Sequence, residues 1–567
     1  MWLRTAVAGL SLVALGSLAW LGLRLLGAPP PLPDRLTLGV VPFDAAGEDA
    51  TFRAFAVGLS ENLSDDLALI AQQDSGIAWV VPAGEARSMG AATATALGRS
   101  FGVTVAVTGR VERVGQRVRL ALALVDPKSG DRLRAVTIED APGNLGAFQN
   151  SPAVRVAQQL GVLVTTESSA RLQASATTTA SSFDFFTRGR GVLALAAGRE
   201  DLTAALALLD EAIADDRLFA DAWVLRAASR VALFHATADA GLIQLGLEDA
   251  ARARELDGRP EDSWRATAAL HLAAGRPAEA AAALDEGVRL APADADLRLE
   301  LAEAYRSAGR WTDAEAEIKR AIYRRPDYWV GYDRLAKLYL GRGMLEAAAV
   351  EFGHVVDCAP GFALGWVKLG GTNLLLERPE VARELLERSL EIEPTAAALS
   401  NLGSIHFDAS RFAKAAEMYA AAVELDPDNY MMWGNLGYAY RFGVEPEKGE
   451  AAFRRAAELG RARLAEAPDD TDLATDVAGY HAMLGETQAG LELLDAVAAT
   501  APGSPLLISK IAETYSDLGE RDRALEWVDR AFAAGEPRSR FEDRPTMSRL
   551  IADERYQALV EKYFGAQ

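Results

Sequence analysis

Histidine is the side chain best suited to acid-base and metal chemistry near neutral pH, and this sequence has five of them. His271, His406 and His481 fall where neighbouring segments of similar sequence carry tyrosine, so we interpret them as packing residues. His235 has no His or Cys partner at helical spacing, and His354 has Cys358 alone, which is too few ligands for a metal site. The histidines therefore predict no metal site.

Other signatures of catalysis are missing from the sequence. It contains no G-x4-G-K-[ST] phosphate loop, no H-E-x-x-H, no C-x-x-C and no combination of H-R-D with D-F-G. The FDFF stretch at Phe183 is only superficially like the last of these. Acid pairs such as Asp469-Asp470 flank predicted helices, where carboxylates suit the positive end of the helix dipole. We therefore predict no catalytic residue, no metal, no cofactor and no enzyme activity.

Composition narrows the classes of partner. The chain has 567 residues, half of them hydrophobic, which is enough for two or more domains with buried cores. Its 80 acidic and 59 basic residues give a net charge of −21, which repels nucleic acid and anionic lipid and favours neutral or basic peptide partners. The single cysteine, Cys358, excludes an internal disulfide, and we interpret it as a small buried hydrophobic residue.

The N-terminus predicts attachment to a membrane. Residues Thr5–Leu23 form a run of 19 without a charge, close to the ~20 that cross a bilayer as a helix. We predict an anchor over residues 1–27 and a proline-rich spacer over residues 28–35, with the body in the periplasm of a bacterium and the inner membrane as a partner. Because Arg4 and the terminal amine are balanced by Arg24 and Arg35, a body on the cytoplasmic side stays open.

Residues 36–164 have the pattern of a small α/β domain. Short apolar runs at Leu36–Phe43 and Ile77–Pro82 predict strands, and the spacing of apolar residues over Phe52–Ile70 predicts a helix between them. Three further strands, joined by the turns VGQ and DPKSGD, follow a second helix. In the middle strand, one face carries Val118, Leu120, Leu122 and Leu124, and the other carries Arg119, Ala121 and Ala123. Only one residue of the second face is polar, so we expect the sheet to be covered on both faces.

This order of elements resembles the TolB amino-terminal-like domain, also called FlgO-like. The matching stretches are VVPF, GLSENLSDDLALI and LGRSFGVTVAVTGRVERVGQRVRLALALVDPKSGDRL. The resemblance implies a sensor domain between a membrane span or signalling domain and a repeat array. It implies no catalytic residues.

After a Ser/Thr-rich segment, residues 165–182, which we predict to be a linker, the sequence becomes helical and repetitive. The block that begins at Tyr430 carries Trp433, Leu436, Gly437 and Tyr440, and related blocks precede and follow it. Prolines recur at positions 292, 326, 360, 394, 427, 468 and 502, at intervals of 34, 34, 34, 33, 41 and 34 residues.

This period and pattern resemble the tetratricopeptide repeat (TPR), a helix pair of about 34 residues. The resemblance implies an all-α superhelical solenoid of about ten helix pairs over residues 183–540, with a capping helix over residues 541–567. The fold class predicted from the sequence is thus a small α/β domain followed by a TPR solenoid, with one transmembrane helix at the N-terminus.

First-helix residues that do not build the repeat core are predicted to line an inner groove. Asn401 and Asn435 share one repeat position and are similar to the inward asparagines of TPR arrays that hold extended peptides. The alternative is a row of solvated polar residues in an unoccupied groove. The predicted peptide-binding residues are Asp333, Lys337, Lys368, Asn401, Ser404, Phe407, Asn435, Tyr438 and Arg441.

These features favour a membrane-anchored scaffold that binds protein or peptide partners and no nucleic acid. The start of the array, beginning FDFFTRGRGVLAL, also resembles the sensory half of bacterial receptor kinases, adenylate cyclases and winged-helix regulators. The chain lacks their catalytic domains, so the alternative is a sensory subunit for a separately encoded kinase, cyclase or regulator. A third hypothesis is a TPR-fused transferase. It would need a catalytic domain, and the domains predicted above leave no residues for one.

Overall fold

The computed structural model describes residues 30–45, 49–72, 76–114, 117–140, 148–149, 151–174, 176–256, 258–443, 445–500, 502–542 and 544–565. The chain divides into two compact units, Met1–Gly365 and Trp366–Gln567, which we call unit 1 and unit 2. Unit 1 contains a sheet region and helical repeats, and unit 2 contains helical repeats only among its described residues.

The sheet region is built on strands in the order β3-β1-β4-β5-β6, with the short β2 paired to β4. β1 is parallel to β3 and β4, whereas β4, β5 and β6 form an antiparallel meander. The parallel pairing needs a crossover, and the helix between β1 and β3 supplies it. The strands are β1 Leu36–Val40, β2 Asp44–Ala45, β3 Ile77–Val81, β4 Val105–Val114, β5 Arg117–Val125 and β6 Arg132–Asp140.

Five described helices accompany the sheet, and the longest of them, α1, contacts β1, β2, β3 and β4. In β5 the residues Val118, Leu120, Leu122 and Leu124 are buried, while the opposite face of this strand is half-exposed. The expectation of a sheet fully covered on both faces is therefore too strong for β5. The helices are α1 Ala50–Ala71, α2 Ala83–Ser88, α3 Ala94–Phe101, α4 Ser151–Gln159 and α5 Thr166–Ala174.

Helix α5 lies within the segment predicted as a linker. The hydroxyl of Thr165 accepts a hydrogen bond from the backbone N–H of Ser168 at 3.0 Å, which caps the helix start. Leu172 then packs into the core of the sheet region. The Ser/Thr-rich composition conceals this helix because its first residues serve as caps and only one of its side chains is a large buried hydrophobic residue.

Ten helix pairs follow among the described residues, and the predicted combination of a small sheet region with a helical TPR solenoid is confirmed in this form. In unit 1 they are α6 Ala180–Leu195 with α7 Arg199–Asp215, α8 Ala220–Thr237 with α9 Gly241–Glu255, α10 Pro260–Ala273 with α11 Pro277–Leu290, α12 Ala295–Ser307 with α13 Trp311–Arg324, and α14 Trp329–Leu340 with α15 Leu345–Cys358. Next come α16 Ala363–Leu375 with α17 Pro379–Ile392, α18 Ala396–Asp408 with α19 Phe412–Leu425, α20 Tyr430–Phe442 with α21 Pro446–Glu466, α22 Thr471–Met483 with α23 Thr487–Ala499, and α24 Pro505–Asp517 with α25 Arg521–Ala533.

The repeated tyrosine joins successive pairs. Tyr305 on α12 donates to Asp285 on the preceding α11 at 2.7 Å, and Tyr515 on α24 donates to Asp495 on α23 at 2.7 Å. At the same position His481 is 2% exposed and contacts Glu486 through Nδ1 at 2.6 Å. The position thus serves packing and repeat-to-repeat hydrogen bonding.

The interval of 41 residues has a simple cause. Helix α21 has 21 residues, whereas α19, the corresponding helix of the preceding pair, has 14. The extra seven residues add about two helical turns. The extension packs against the next pair, since a Cβ built on Gly460 would lie 2.5 Å from Cγ2 of Val477.

The sheet region and the first repeat helix meet through two glycines. A Cβ built on Gly58 of α1 would lie 1.8 Å from the carbonyl oxygen of Thr187, and one built on Gly191 of α6 would lie 1.8 Å from that of Ala54. The two helices therefore cross with their backbones in contact, which only glycine permits.

The chain ends in a short helix, α26 Ser539–Glu542, a 3₁₀ turn at Pro545–Met547, and helices α27 Ser548–Ile551 and α28 Glu554–Phe564. Helix α28 packs on α25, and the 3₁₀ turn contacts α24. The end of the chain therefore covers both helices of the last pair.

The expected localisation, on a membrane with the body in the periplasm, is corrected here. Among the residues that the structure describes, no helix has the length and apolar character needed to cross a bilayer. The predicted anchor, residues 1–27, lies outside the described residues. The chain is therefore not assigned to a membrane.

Candidate functional site

Within each unit, the sixth residues of the regular first helices form a row that runs from repeat to repeat. Contacts within the row are direct: Arg265 Nε lies 3.0 Å from a carboxylate oxygen of Glu300, and Lys510 Nζ lies 2.9 Å from one of Asp476. We call this row the inner row. In unit 1 it contains Arg265, Glu300 and Arg334, and in unit 2 it contains Lys368, Asn401, Asn435, Asp476 and Lys510.

In unit 1 the sheet region contacts the first helices of the repeats. The Tyr328 hydroxyl donates to Glu85 Oε2 at 2.6 Å, and the Trp329 indole N–H donates to the Ser100 carbonyl at 2.8 Å. Tyr328 also packs on Trp79, with ring centroids 4.8 Å apart. Burial raises the pKa of Glu85, and the nearby charge of Arg334 opposes that rise. The inner row of unit 1 therefore faces the chain's own sheet region at Arg334.

Two predicted groove residues, Asp333 and Lys337, lie on α14 in unit 1. The Asp333 carboxylate is 5% exposed and lies 2.8 Å from Lys337 Nζ. The two side chains form an ion pair within one helix turn, so Asp333 presents little surface to a ligand.

The other seven predicted residues lie in unit 2, and some of them belong to its packing. The Ser404 hydroxyl lies 2.9 Å from that of Tyr419 and also donates to the Ser400 carbonyl. Lys368 has an interaction partner within the chain. Phe407 is half-buried against Phe412, with ring centroids 5.2 Å apart.

Asn401 and Asn435 differ from these neighbours. Both side chains are half-buried, and neither makes a hydrogen bond to any described residue. The guanidinium of Arg441 is exposed and likewise has no ion pair within the described part of the chain. These three groups keep their hydrogen-bonding capacity for a ligand.

An aromatic cluster lies beside the two amides. Tyr438 stacks on Phe442 with centroids 6.5 Å apart, and Phe442 contacts Phe407 at 6.0 Å and Phe412 at 5.9 Å. Burial raises the pKa of Tyr438, so its hydroxyl is a neutral donor at physiological pH. Phe412 and Phe442 were not predicted from the sequence, because Phe412 begins α19 and Phe442 ends α20, so they share no repeat position with Phe407.

Three carboxylates lie further along unit 2: Glu513 is buried, and Asp476 and Asp517 are half-buried. Burial raises the pKa of Asp517 to about 7, with the negative charge of Glu513 adding to the rise. Burial also raises the pKa of Asp476 and Glu513, against the opposing charges of Lys510 and of Arg544 and Arg540, respectively. These three residues were not predicted from the sequence. Their sixth, ninth and thirteenth places in the first helices were the available signal.

Unit 1 contains a small polar cavity of about 30 Å³ between α1 and the first repeats. Asp66 lines it without a hydrogen bond to any described residue, and burial raises its pKa to about 7. Arg190 donates to Asn62 at 3.0 Å and pairs with Asp65 in the same cavity wall. A cavity of this volume accommodates about one water molecule.

Neither the histidines nor the cysteine assemble into a reactive site. No group of three or more His, Cys, Asp or Glu side chains in the described ranges could hold a metal ion. Burial lowers the pKa of His271 and His406, whose Nδ1 atoms are buried without a partner. Cys358 is half-exposed instead of fully buried as expected, and partial burial raises its thiol pKa to about 11, which disfavours the reactive thiolate.

Family comparison identifies the repeats. A family model described as "Tetratricopeptide repeat" matches residues 271–338, and a second with the same description matches residues 400–463. The chain is similar to the "Hsp70-Hsp90 organizing protein" of Triticum aestivum, with 35% identity over 98 residues, which cover 17% of this chain and 17% of that protein.

A second relative is the "Putative adenylate cyclase 3" of Rhizobium meliloti (strain 1021), 23% identical over 167 residues, or 29% of this chain and 27% of that protein. The chain thus spans less than a third of the length of either relative. Among solved structures it is similar to YrrB, described as "a TPR protein with an unusual peptide-binding site", at 20% identity and a TM-score of 0.26, over 34% of this chain and 95% of that one. The matched segments and the repeated helix pairs together show that the chain contains tetratricopeptide repeats.

Proposed function

We propose that the protein is a non-catalytic interaction scaffold that binds an extended segment of a partner protein on the first helices of unit 2. The observation that carries this proposal is the pair of free amides, Asn401 and Asn435, at the same repeat position. An amide side chain both donates and accepts, so it pairs with the N–H and C=O of a peptide backbone.

The spacing of the repeats suits this role. Packed helices lie about 8–10 Å apart, and an extended peptide rises about 3.3 Å per residue. The two amides would therefore hold backbone groups about three residues apart. The aromatic cluster of Phe407, Phe412, Tyr438 and Phe442 offers an apolar contact for a side chain between them, and Arg441 offers a donor at its edge.

Replacing both Asn401 and Asn435 with alanine is expected to weaken partner binding about fivefold or more, since two hydrogen-bonded contacts are lost at about 0.5–1.5 kcal/mol each. The full chain serves as bait, and recovery of its partner is compared by quantitative mass spectrometry. Gln488→Ala is the matched control, because Gln488 is an exposed amide on the second helix α23. Equal recovery by the double variant and the control would exclude the groove.

An alternative proposal is a sensory subunit for a separately encoded kinase, cyclase or regulator, in which residues 36–164 are a TolB amino-terminal-like sensor. The similarity to a protein named as a putative adenylate cyclase and the direct contact between sheet region and repeats support it. A kinase, cyclase or regulator gene beside this one, whose product binds the purified chain, is the expected finding. A chain that binds no such product would refute this alternative.

A further inference from the structure

The segment that follows the last helix pair lies on the first helix of that pair. We call residues 538–547 the tail segment; Asp543 within it lies outside the described residues. Phe541 and Met547 are fully buried, so they fix the segment to unit 2. Arg540 Nε lies 3.3 Å from Glu513 Oε1, and Arg544 approaches Glu513 Oε2 at 3.5 Å. A side-chain hydrogen bond joins Thr546 to Asp517.

These contacts leave Glu513 incompletely satisfied. Glu513 is 8% exposed, yet among the described residues its Oε1 has no hydrogen-bond donor and the Nε–H of Arg540 has no acceptor. The two atoms are close enough for an ion pair but are misaligned for a hydrogen bond. A buried carboxylate oxygen without a donor is unfavourable, so an arginine that approached it in line would be preferred over Arg540.

The charge of Arg544 acts on residues of three first helices. Its guanidinium charge opposes the raised pKa of Asp408 at the end of α18, of Tyr438 on α20 and of Asp517 at the end of α24. The side chain is 46% exposed. The residue thus carries a positive charge over the acidic part of the inner surface, beside the aromatic cluster.

We propose that this surface of unit 2 binds arginine side chains of a partner's segment, with Glu513 and Asp517 as the acceptors, and that the Arg540 and Arg544 side chains of the tail segment are tethered occupants which the partner displaces. The inference rests on the proposed function, because it names the chemistry of the partner, but it depends on different residues. Arg540 lies in the short helix α26 and Arg544 just before the 3₁₀ turn, and both approach Glu513, so the pattern that the surface fits is R-x-x-x-R in a compact turn. A neutral or basic partner also agrees with the net charge of −21.

Tethering sets the expected direction of the effect. An occupant on the same chain acts at an effective concentration of about millimolar, so it competes strongly with a free peptide. Removing its two arginines is therefore expected to strengthen the binding of an arginine peptide about tenfold, whereas removing the acceptors is expected to abolish that binding.

The probe is a fluorescein-labelled peptide of Gly, Ser and Ala with two arginines four residues apart, measured by fluorescence anisotropy with the full chain. We expect weak binding to the unmodified chain, about tenfold tighter binding to the Arg540→Ala/Arg544→Ala variant, and loss of binding to the Glu513→Gln/Asp517→Asn variant. Arg549→Ala is the control, because Arg549 is an exposed arginine just beyond the tail segment. Far-UV circular dichroism melting checks that each variant is folded.

Three results would overturn the inference: equal affinity for a peptide with glutamate in place of both arginines, no gain in the tail variant, or binding retained by the acceptor variant. If a variant fails to fold, the glutamate peptide on the unmodified chain still decides. A partner that is lost on Asn401→Ala/Asn435→Ala, together with no arginine binding, refutes this inference alone. If the arginine peptide binds but partner recovery is unchanged in the Asn401→Ala/Asn435→Ala variant, the proposed function alone is refuted.

Discussion

Alanine in place of Gly191 is expected to destabilise unit 1 by about 3 kcal/mol or more, the largest effect among the substitutions considered. The added Cβ would lie 1.8 Å from the Ala54 carbonyl oxygen, far inside van der Waals contact. Because the clashing atom belongs to the backbone of α1, no side-chain rotation relieves it. Overpacking usually costs about 1–3 kcal/mol, and a backbone clash lies at or beyond the upper end of that range.

Hydrogen exchange of the full chain measures this effect locally, in peptides that cover α1 and α6. Gly353→Ala is the matched control, since Gly353 also lies inside a helix but a Cβ there would meet nothing within 4 Å. That control is expected to gain about 0.5–1 kcal/mol from the lower entropy of the unfolded chain. Equal protection of α1 in the Gly191→Ala variant and the unmodified chain would disprove the close crossing.

Asparagine in place of Asp66 is expected to stabilise unit 1 above pH 7 and to leave it nearly unchanged at pH 4. Burial in the cavity raises the pKa of Asp66 from 3.8 to about 7, with Asp65 and Asp221 adding to the rise and Arg259 and Arg190 opposing it. The folded state therefore keeps a proton that the unfolded chain releases, and stability falls as pH rises from about 4 to about 7. An asparagine side chain at this position carries no charge and avoids this loss.

The gain above pH 7 is expected to be about 2–4 kcal/mol, from a shift of roughly three pKa units at 1.36 kcal/mol each, reduced by water in the cavity. The midpoint of the first unfolding transition in urea is measured for the unmodified chain and the Asp66→Asn variant at pH 5 and at pH 8. The shift of this midpoint gives the difference in stability. Asp65→Asn is the contrasting variant: it unpairs the buried Arg190 and is expected to destabilise at both pH values. A gain independent of pH in Asp66→Asn would contradict the titration.

The repeats could be read from the sequence because their constraint is periodic. Each helix pair buries the same face against its neighbours, so Trp, Leu, Gly and Tyr recur at fixed places and prolines mark the joints. The strands of the sheet region were predicted for a similar reason, since Leu36–Val40 and Ile77–Val81 are continuous apolar runs. Local pattern was enough for both.

Contacts between distant segments have no such period. The crossing at Gly58 and Gly191 joins residues more than a hundred positions apart, and each glycine looks ordinary in its own helix. The same holds for Glu513 and the tail arginines, which no sequence pattern connects. Asp333 was predicted to line the groove from its helical position alone. Its spacing of four residues from Lys337 already fits an ion pair, but its burial to 5% exposure depends on neighbouring segments that the sequence does not show.

The long helix Pro446–Glu466 has a consequence for how the gene can change in length. Gain or loss of one 34-residue module preserves every interface between neighbours, provided that the modules on both sides have the same helix lengths. Pro446–Glu466 is seven residues longer, or about 10 Å at 1.5 Å per residue, and its extension packs against Val477. Unequal recombination across this module would leave that extension without its counterpart. The number of repeats can therefore change on either side of this helix, but not by recombination within the module that contains it.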